Sequence, residues 1–236
     1  MAKDLFIFKR VEKKYRVNTE HKEKLLSLIE EKLVPDEHGK STICSLYLDT
    51  PTYLLIRNSI EAKTYKEKLR LRSYGVPTGD TRVFLEIKKK FEGVVYKRRV
   101  SMSLDLAKAY IEGGESPIRS QIMSEIDYAM QFYGHPKPSI MIAYEREAFY
   151  VKGLPNVRLT FDSNIRYRKD ELFLEKGNHG TRLLPDDELV LEIKTDGAMP
   201  LWMSAALGEC GVFSSSFSKC GNAYKMILQN QMKVAN

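Results

Sequence analysis

The chain has 236 residues, of which 43% are hydrophobic and 29% charged, and a formal net charge of +7. This is enough apolar content for a core, no apolar run approaches the roughly 18 residues of a membrane span, and Met1-Ala2-Lys3-Asp4 begins no signal-peptide core, so a cytoplasmic protein is expected. Three cysteines, Cys44, Cys210 and Cys220, with no Cys-x-x-Cys pair argue against a disulfide framework and a thiolate zinc site; the net charge points to anionic partners but is modest for a nucleic-acid binder.

In chain order, apolar residues at every second position predict strands near 9–17, 42–49, 67–74, 82–90, 94–102, 139–150, 157–163 and 188–195, with a minor pair within 165–175. Apolar residues at helical spacing predict a helix capped by Thr19 and running to Ile29, then helices at 51–61, 104–113, 117–133, 200–209 and 217–231. Gly75–Asp80, Phe91–Gly93 and Lys152–Asn156 have the composition of hairpin connections. No linker, fixed-period repeat or composition break divides the chain, so residues 1–236 are expected to form one domain.

The polar positions of these strands are unusual. They favour Arg and Lys over the Ser, Thr, Asn and Gln of a solvated sheet, and Glu precedes Lys by two residues three times: Glu12 and Lys14, Glu86 and Lys88, Glu192 and Lys194. Lys68, Arg70 and Arg72 form a further row, and Arg158 and Asp162 share the alternation of Val157–Asp162. Two arrangements fit such strands: a sandwich with charges in water, or a barrel with charges inside and helices over its apolar exterior. The second also explains the amphipathic helices between strands. The expected fold is therefore α+β, an eight-stranded antiparallel closed β-barrel with helices packed outside, whose lumen is a cationic tunnel for a polyanion. Like charges about 6 Å apart repel by roughly 3 kcal/mol at an effective dielectric near 20, so an empty ring of cations is costly and a phosphate chain relieves it. Arg grips phosphate oxygens with a planar fork and Lys adds a mobile point charge.

Other familiar sites are missing. The chain has no Gly-x-x-x-x-Gly-Lys-Ser/Thr loop, no Gly-x-Gly-x-x-Gly, no His-Glu-x-x-His and no Gly-x-Ser-x-Gly. His21, His38, His135 and His179 have no ligand spacing and read as surface histidines, and Trp202 with Leu201, Met203 and Leu207 reads as helix packing. Lys88–Lys90 and Lys97–Arg99 do not read as a nucleic-acid patch, because alternation sends Lys89 and Arg98 to the face opposite their neighbours.

Taken in series, Arg10-x-Glu12-x-Lys14-Tyr15, Lys68-Leu69-Arg70-Leu71-Arg72-x-Tyr74-Gly75, Glu86-x-Lys88, Lys97-Arg98-Arg99, Tyr144-x-Arg146, Arg158-x-x-x-Asp162, Leu191-Glu192-Ile193-Lys194 and Ser216-Phe217-Ser218-Lys219 resemble the polyphosphate polymerase domain of the vacuolar transporter chaperone (VTC) family over about residues 6–228. That family belongs to the triphosphate tunnel metalloenzymes, eight-stranded antiparallel barrels around a basic channel. The resemblance implies transfer of the terminal phosphate of ATP to a growing inorganic polyphosphate chain with Mn²⁺ or Mg²⁺. It makes Lys14, Arg70, Arg72, Lys88, Lys97, Arg99, Arg146, Arg158, Lys194 and Lys219 phosphate-contacting positions and Glu192 the leading metal ligand.

On this reading Arg70, Arg72, Arg146 and Arg158, with Lys88, hold the reacting phosphates. Lys68 extends their row, the Tyr144 hydroxyl is a further donor, and Glu12 and Glu86 are additional candidate ligands. A solvated strand face also fits Lys68–Arg72, a cross-strand ion pair also fits Glu192 and Lys194, and Arg166 and Arg168 read as surface residues. Tunnel triphosphatases typically open with Glu-x-Glu-x-Lys, whereas Arg10 stands first here, which leans towards the polymerase branch. The alternatives are hydrolysis of inorganic triphosphate or nucleoside triphosphates, and a non-catalytic polyanion-binding module. The expected partners are ATP and inorganic polyphosphate, without nucleic acid and with room for a membrane-protein partner.

Overall fold

The computed structural model describes residues 11–92 and 94–234; Arg10 and Gly93 lie outside the described residues. In chain order the elements are β1 (Val11–Asn18), α1 (Thr19–Ile29), β2 (Leu33–Asp49), α2 (Leu54–Glu61), β3 (Tyr65–Tyr74), β4 (Arg82–Phe91), β5 (Val94–Ser103), α3 (Leu104–Glu112), α4 (Gln121–Phe132), β6 (Lys137–Val151), β7 (Leu154–Arg168), β8 (Thr181–Arg182), β9 (Glu188–Thr195), α5 (Leu201–Glu209) and α6 (Lys219–Val234).

Local chemistry sets the boundaries. Asn18, not the expected Thr19, caps α1: its side-chain oxygen accepts the His21 amide at 2.8 Å, while the Thr19 hydroxyl turns to the Asp187 carbonyl. The Asp49 carboxylate, at the end of β2, accepts the Leu55 and Ile56 amides at 2.9 and 2.8 Å and so satisfies the start of α2. Ser103 and Ser120 cap α3 and α4, and Gly113 at φ 118° ends α3 in a conformation that glycine adopts without strain.

Every strand pairing is antiparallel, in the order β1-β9-β7-β6-β2-β3-β4-β5, with β8 on the side of β7. The eight strands in this path answer to the eight expected. The sheet curls, so that the chain at the start of α6 meets both β1, through Lys14 and the Phe217 carbonyl at 3.0 Å, and β3, through Lys68 and Cys220 Sγ at 3.1 Å. Closure of the barrel is not found: among the described residues no ladder joins β5 to β1. The free edge of β1 is occupied by the chain entering α6, with the Ser215 amide donating to the Lys14 carbonyl at 2.7 Å and Tyr15 bridging to Ser214.

The minor strand pair expected within 165–175 is different as well. Arg166 and Tyr167 are the end of β7 and pair with β8, and Leu174–Lys176 form a 3-10 turn. Arg168, expected at the surface, is buried, and its guanidinium donates to the carbonyls of Glu171, Phe173, Gly177 and His179. It pins a loop whose backbone would otherwise lack partners.

Three apolar clusters hold the fold. On the convex face, Cys44, Leu46, Leu69, Leu71, Leu85 and Ile87 pack under α3 and α4, while Tyr15, Val17, Leu159, Phe161, Leu191 and Ile193 pack under α1 and α5. The third cluster is inside the curl, where Ile43, Tyr47, Ile140, Ile142, Tyr144 and Val190 meet Ile56 of α2 and Cys220, Ala223 and Ile227 of α6. Not all helices pack outside, therefore: α6 plugs one part of the concave face with a stripe at helical spacing. No helix among the described residues is long and apolar enough to cross a membrane.

Candidate active site

The rest of the concave face is charged. Strand parity that sends Leu69, Leu71, Leu85 and Ile87 to the convex cluster sends Lys68, Arg70, Arg72, Glu86 and Lys88 inward, and register sets Arg70 beside Glu86 and Lys88 beside Lys97. Glu86 is the centre of one cluster. Arg70 Nε lies 2.7 Å from Oε2, Lys97 Nζ 2.7 Å from Oε1 and Arg72 Nε 3.9 Å from Oε2. Burial pushes the Glu86 carboxyl up, but Arg70, Arg72 and Lys97 outweigh it and hold the pKa at about 2. Arg70 also donates to the Tyr47 hydroxyl at 3.2 Å and Arg72 to the Ser45 hydroxyl at 3.2 Å, so both guanidinium groups are oriented from β2.

A second cluster surrounds Asp162 and Glu192. Arg146 grips Asp162 with two bonds of 2.6 and 2.7 Å, and Lys219, at the start of α6, lies 2.5 Å from Asp162 and 3.2 Å from Glu192. Glu192 also has Lys194 at 3.3 Å, Lys14 at 3.5 Å and Arg146 at 3.5 Å, so four cations share one carboxylate. Burial raises the pKa of both acids, and the surrounding Lys219, Lys194, Lys14 and Arg146 charges bring that of Glu192 well below the ordinary carboxylate range.

Tyr144 joins the two clusters. Its hydroxyl receives a 3.4 Å hydrogen bond from Arg72, and its ring carries the Lys219 ammonium at 4.6 Å and the Arg146 guanidinium at 5.2 Å. Burial would raise its pKa, but Arg72, Arg146 and Lys219 draw it below the usual phenol value.

The predicted residues thus converge on one surface, with differences of detail. Lys68 turns to Cys220 Sγ at 3.1 Å and Ser218 Oγ at 3.3 Å. Arg158 pairs with Asp36 at 2.8 Å and stacks on Tyr150, at the rim of the second cluster. Arg99 is exposed and lies over the Phe84 ring at 4.6 Å. Lys88 sits among Lys14, Lys68 and Arg70; burial first and then these like charges bring its pKa down to about 8, against the pull of Glu12. Lys97 keeps 39% of its side chain exposed, and partial desolvation with the neighbouring Arg70 and Arg72 pushes it down to about 8 as well, against the pull of Glu86. Depressed lysines are the expected signature of desolvation added to crowding by like charges.

Sequence reasoning gave no role to Asp162, Tyr47, Ser45 or Cys220. Asp162 was signalled by sharing a face with Arg158; Tyr47 and Ser45 share theirs with Ile43 and carried no charge to mark them.

The three carboxylates expected to bind metal do not form one group. Glu86 is held by the first cluster, and among the described residues no set of three His, Cys, Asp or Glu side chains could cage an ion. Glu12 and Glu192, however, share two lysines: Lys14 is 3.3 Å from Glu12 and 3.5 Å from Glu192, and Lys194 is 4.0 and 3.3 Å from them. Burial raises the Glu12 pKa, but Lys88, Lys14 and Lys194 keep it below its ordinary value. Two adjacent ionised oxygen donors beside a cationic surface fit Mg²⁺ or Mn²⁺, which take one or two carboxylates and complete their shell with other oxygen ligands and water.

A curled antiparallel sheet with a cationic concave face defines a protein of the triphosphate tunnel fold. A Bacillus halodurans structure described as a candidate adenylate cyclase shares this fold at TM-score 0.55 and 13% identity, covering 89% of this chain and 95% of that one. A candidate adenylyl cyclase from Hippeastrum with a dominant triphosphatase activity overlays at TM-score 0.49 and 15% identity, over 89% of this chain and 92% of that one. A Pyrococcus horikoshii OT3 protein does so at 0.47 and 17%, over 95% and 99%. No curated protein matches the sequence. The VTC domain model matches residues 9–228, and the chain belongs to that family.

Proposed function

We propose that the protein is a polyphosphate polymerase, which moves the terminal phosphate of ATP onto the end of an inorganic polyphosphate chain lying along the concave face. The observation that carries this reading is that each carboxylate of the two clusters is held by cations, Glu86 by Arg70 and Lys97, Asp162 by Arg146 and Lys219, Glu192 by Lys14 and Lys194, and Glu12 by Lys14, which draws their pKa values below the ordinary range. Acids held so low are poor proton acceptors near neutral pH and ill suited to deprotonating water. A terminal phosphate is already ionised and needs no base. The same acids remain charged and available to a divalent cation.

Arg70, Arg72 and Lys97 on one wall and Arg146, Lys219, Lys14 and Lys194 on the other would neutralise the non-bridging oxygens of donor and acceptor, with Lys68, Lys88, Arg99 and Arg158 extending the surface along the chain and the Tyr144 hydroxyl between the walls. A bond forms between a terminal chain oxygen and the γ-phosphorus, the bond from that phosphorus to the β-bridging oxygen breaks, and ADP leaves with the electron pair. Mg²⁺ or Mn²⁺, held by Glu12 and Glu192, would supply charge neutralisation at the transferring phosphate.

The test is incubation of purified protein with ATP and Mn²⁺, followed by electrophoretic separation of the products. Long phosphate polymers support the reading. Orthophosphate without polymer would assign the site to triphosphate hydrolysis instead.

A further inference from the structure

Beside the second cluster the lumen opens into a cavity of about 720 Å³ between β1, the end of α2, the start of β3 and the first turns of α6. It is continuous with the concave face: Lys14, on its wall, reaches Glu192 at 3.5 Å, and Ser218, also on its wall, is 3.3 Å from Lys68. Among the described residues four lysines, Lys13, Lys14, Lys66 and Lys225, line it against one carboxylate, Glu12, and Ser59, Ser214, Ser215, Ser216 and Asn222 add neutral polar groups.

Lys14 is committed to Glu12, Glu192 and the Phe217 carbonyl. Among the described residues, Lys13, Lys66 and Lys225 form no ion pair. They are recruited from three separate elements to one concavity, where unbalanced like charge has no structural use and is relieved by an anion. The size lies within the range of ligand sites. The composition selects the kind of anion. Among the described residues Phe217 is the one aromatic on the wall and is itself buried, so they offer no open ring on which a nucleobase would stack, while ammonium and hydroxyl groups suit repeated phosphates.

We infer that this cavity is a vestibule for the segment of a polyphosphate chain that extends beyond the tunnel, with Lys66 and Lys225 as its principal contacts. The inference rests on the polyphosphate reading of the tunnel and adds to it a second, length-sensitive binding region. Short phosphates are held by the two tunnel clusters alone, and longer chains bind more tightly because they also reach the vestibule.

The experiment compares tripolyphosphate and a long-chain polyphosphate as ligands of the wild-type protein and of the Lys66→Ser/Lys225→Ser double variant, by calorimetry at fixed ionic strength. The wild type is expected to bind long chains more tightly than tripolyphosphate. The double variant is expected to lose about tenfold in affinity for the long chain, the scale of one or two charge-assisted contacts, and less than about twofold for tripolyphosphate. Melting curves of the two proteins should coincide, since neither lysine has an ion-pair partner among the described residues. Equal affinities of the double variant and the wild type for long chains, or an equal loss for both ligands, would overturn the vestibule and leave the tunnel standing. A wild type that binds neither phosphate would overturn both.

Discussion

Lys219, the first residue of α6, places its ammonium group 2.5 Å from the carboxylate of Asp162, a β7 residue that is fully buried. The pair fastens the plugging helix to the sheet at the point where the apolar and charged halves of the concave face meet. Burial lowers the Lys219 pKa, but Asp162, Glu192 and Tyr144 outweigh it and raise it above the ordinary lysine value.

Lys219→Ala leaves Asp162 buried with Arg146 as its remaining cation. Removing one partner of a buried pair costs about 3–5 kcal/mol, so the variant should unfold at correspondingly lower denaturant concentration. In a double-mutant cycle with Asp162→Asn the two losses should fall short of additivity by more than about 0.5 kcal/mol. Additive losses would mean that the Lys219–Asp162 pair does not fasten α6.

Glu192→Gln removes the negative charge from among Lys14, Arg146, Lys194 and Lys219. Tripolyphosphate should bind to this variant at least as tightly as to the wild type, because the surface becomes more positive. Polymer formation from ATP should fall by at least about a hundredfold, through loss of a metal-binding oxygen and its placement of the transferring phosphate. Calorimetry and a timed polymer assay read the two effects separately; retention of activity would remove Glu192 from the metal site.

For Arg70→Lys the total charge is conserved and the planar fork is lost, along with the bond to Tyr47. Affinity for tripolyphosphate should fall by about ten- to a hundredfold, equivalent to about 1.5–3 kcal/mol for hydrogen bonding to a charged group. An unchanged dissociation constant would place the phosphate elsewhere.

The depressed lysines predict opposite pH trends for the empty and the loaded protein. Lys88 and Lys97 titrate at about 8 when folded and near 10.5 when unfolded, so the unfolded chain binds more protons across that window and their contribution to the stability of the empty protein rises with pH. Loss of the same two charges above pH 8 weakens polyanion binding. Glu86 acts at the other extreme: its folded pKa of about 2 stabilises the fold above its ordinary 4.5, and this stability is lost as pH falls from 4.5 towards 2. Denaturation and calorimetry over pH 7–10 in constant salt check the alkaline pair of trends; parallel trends would contradict the crowded-cation account.

Strand periodicity made the charged face legible in the sequence, since alternation is a local property and Lys68–Arg72, Glu86–Lys88 and Glu192–Lys194 display it without tertiary context. What the sequence did not disclose depends on long-range pairing. The fate of the β1 edge was decided by Ser214 and Ser215, about 200 residues away and bearing no strand pattern of their own. The inward seat of α6 had a signal in the unbroken apolar run Ile140–Ala143, where both faces of β6 are buried; such a run marks a strand covered on both sides. The commitment of Glu86 to Arg70 and Lys97 rather than to a metal site with Glu12 and Glu192 depends on the pairing of β3, β4 and β5, which no local pattern discloses.

The central claim is that the two cation clusters grip one phosphate chain between them, and a crystal structure with tripolyphosphate tests it most directly. The account predicts phosphate density on the concave face, contacted by Arg70 and Arg72 on one side and by Arg146 and Lys219 on the other. Density confined to lysines on the convex surface, with the space between the two clusters holding water alone, would contradict it.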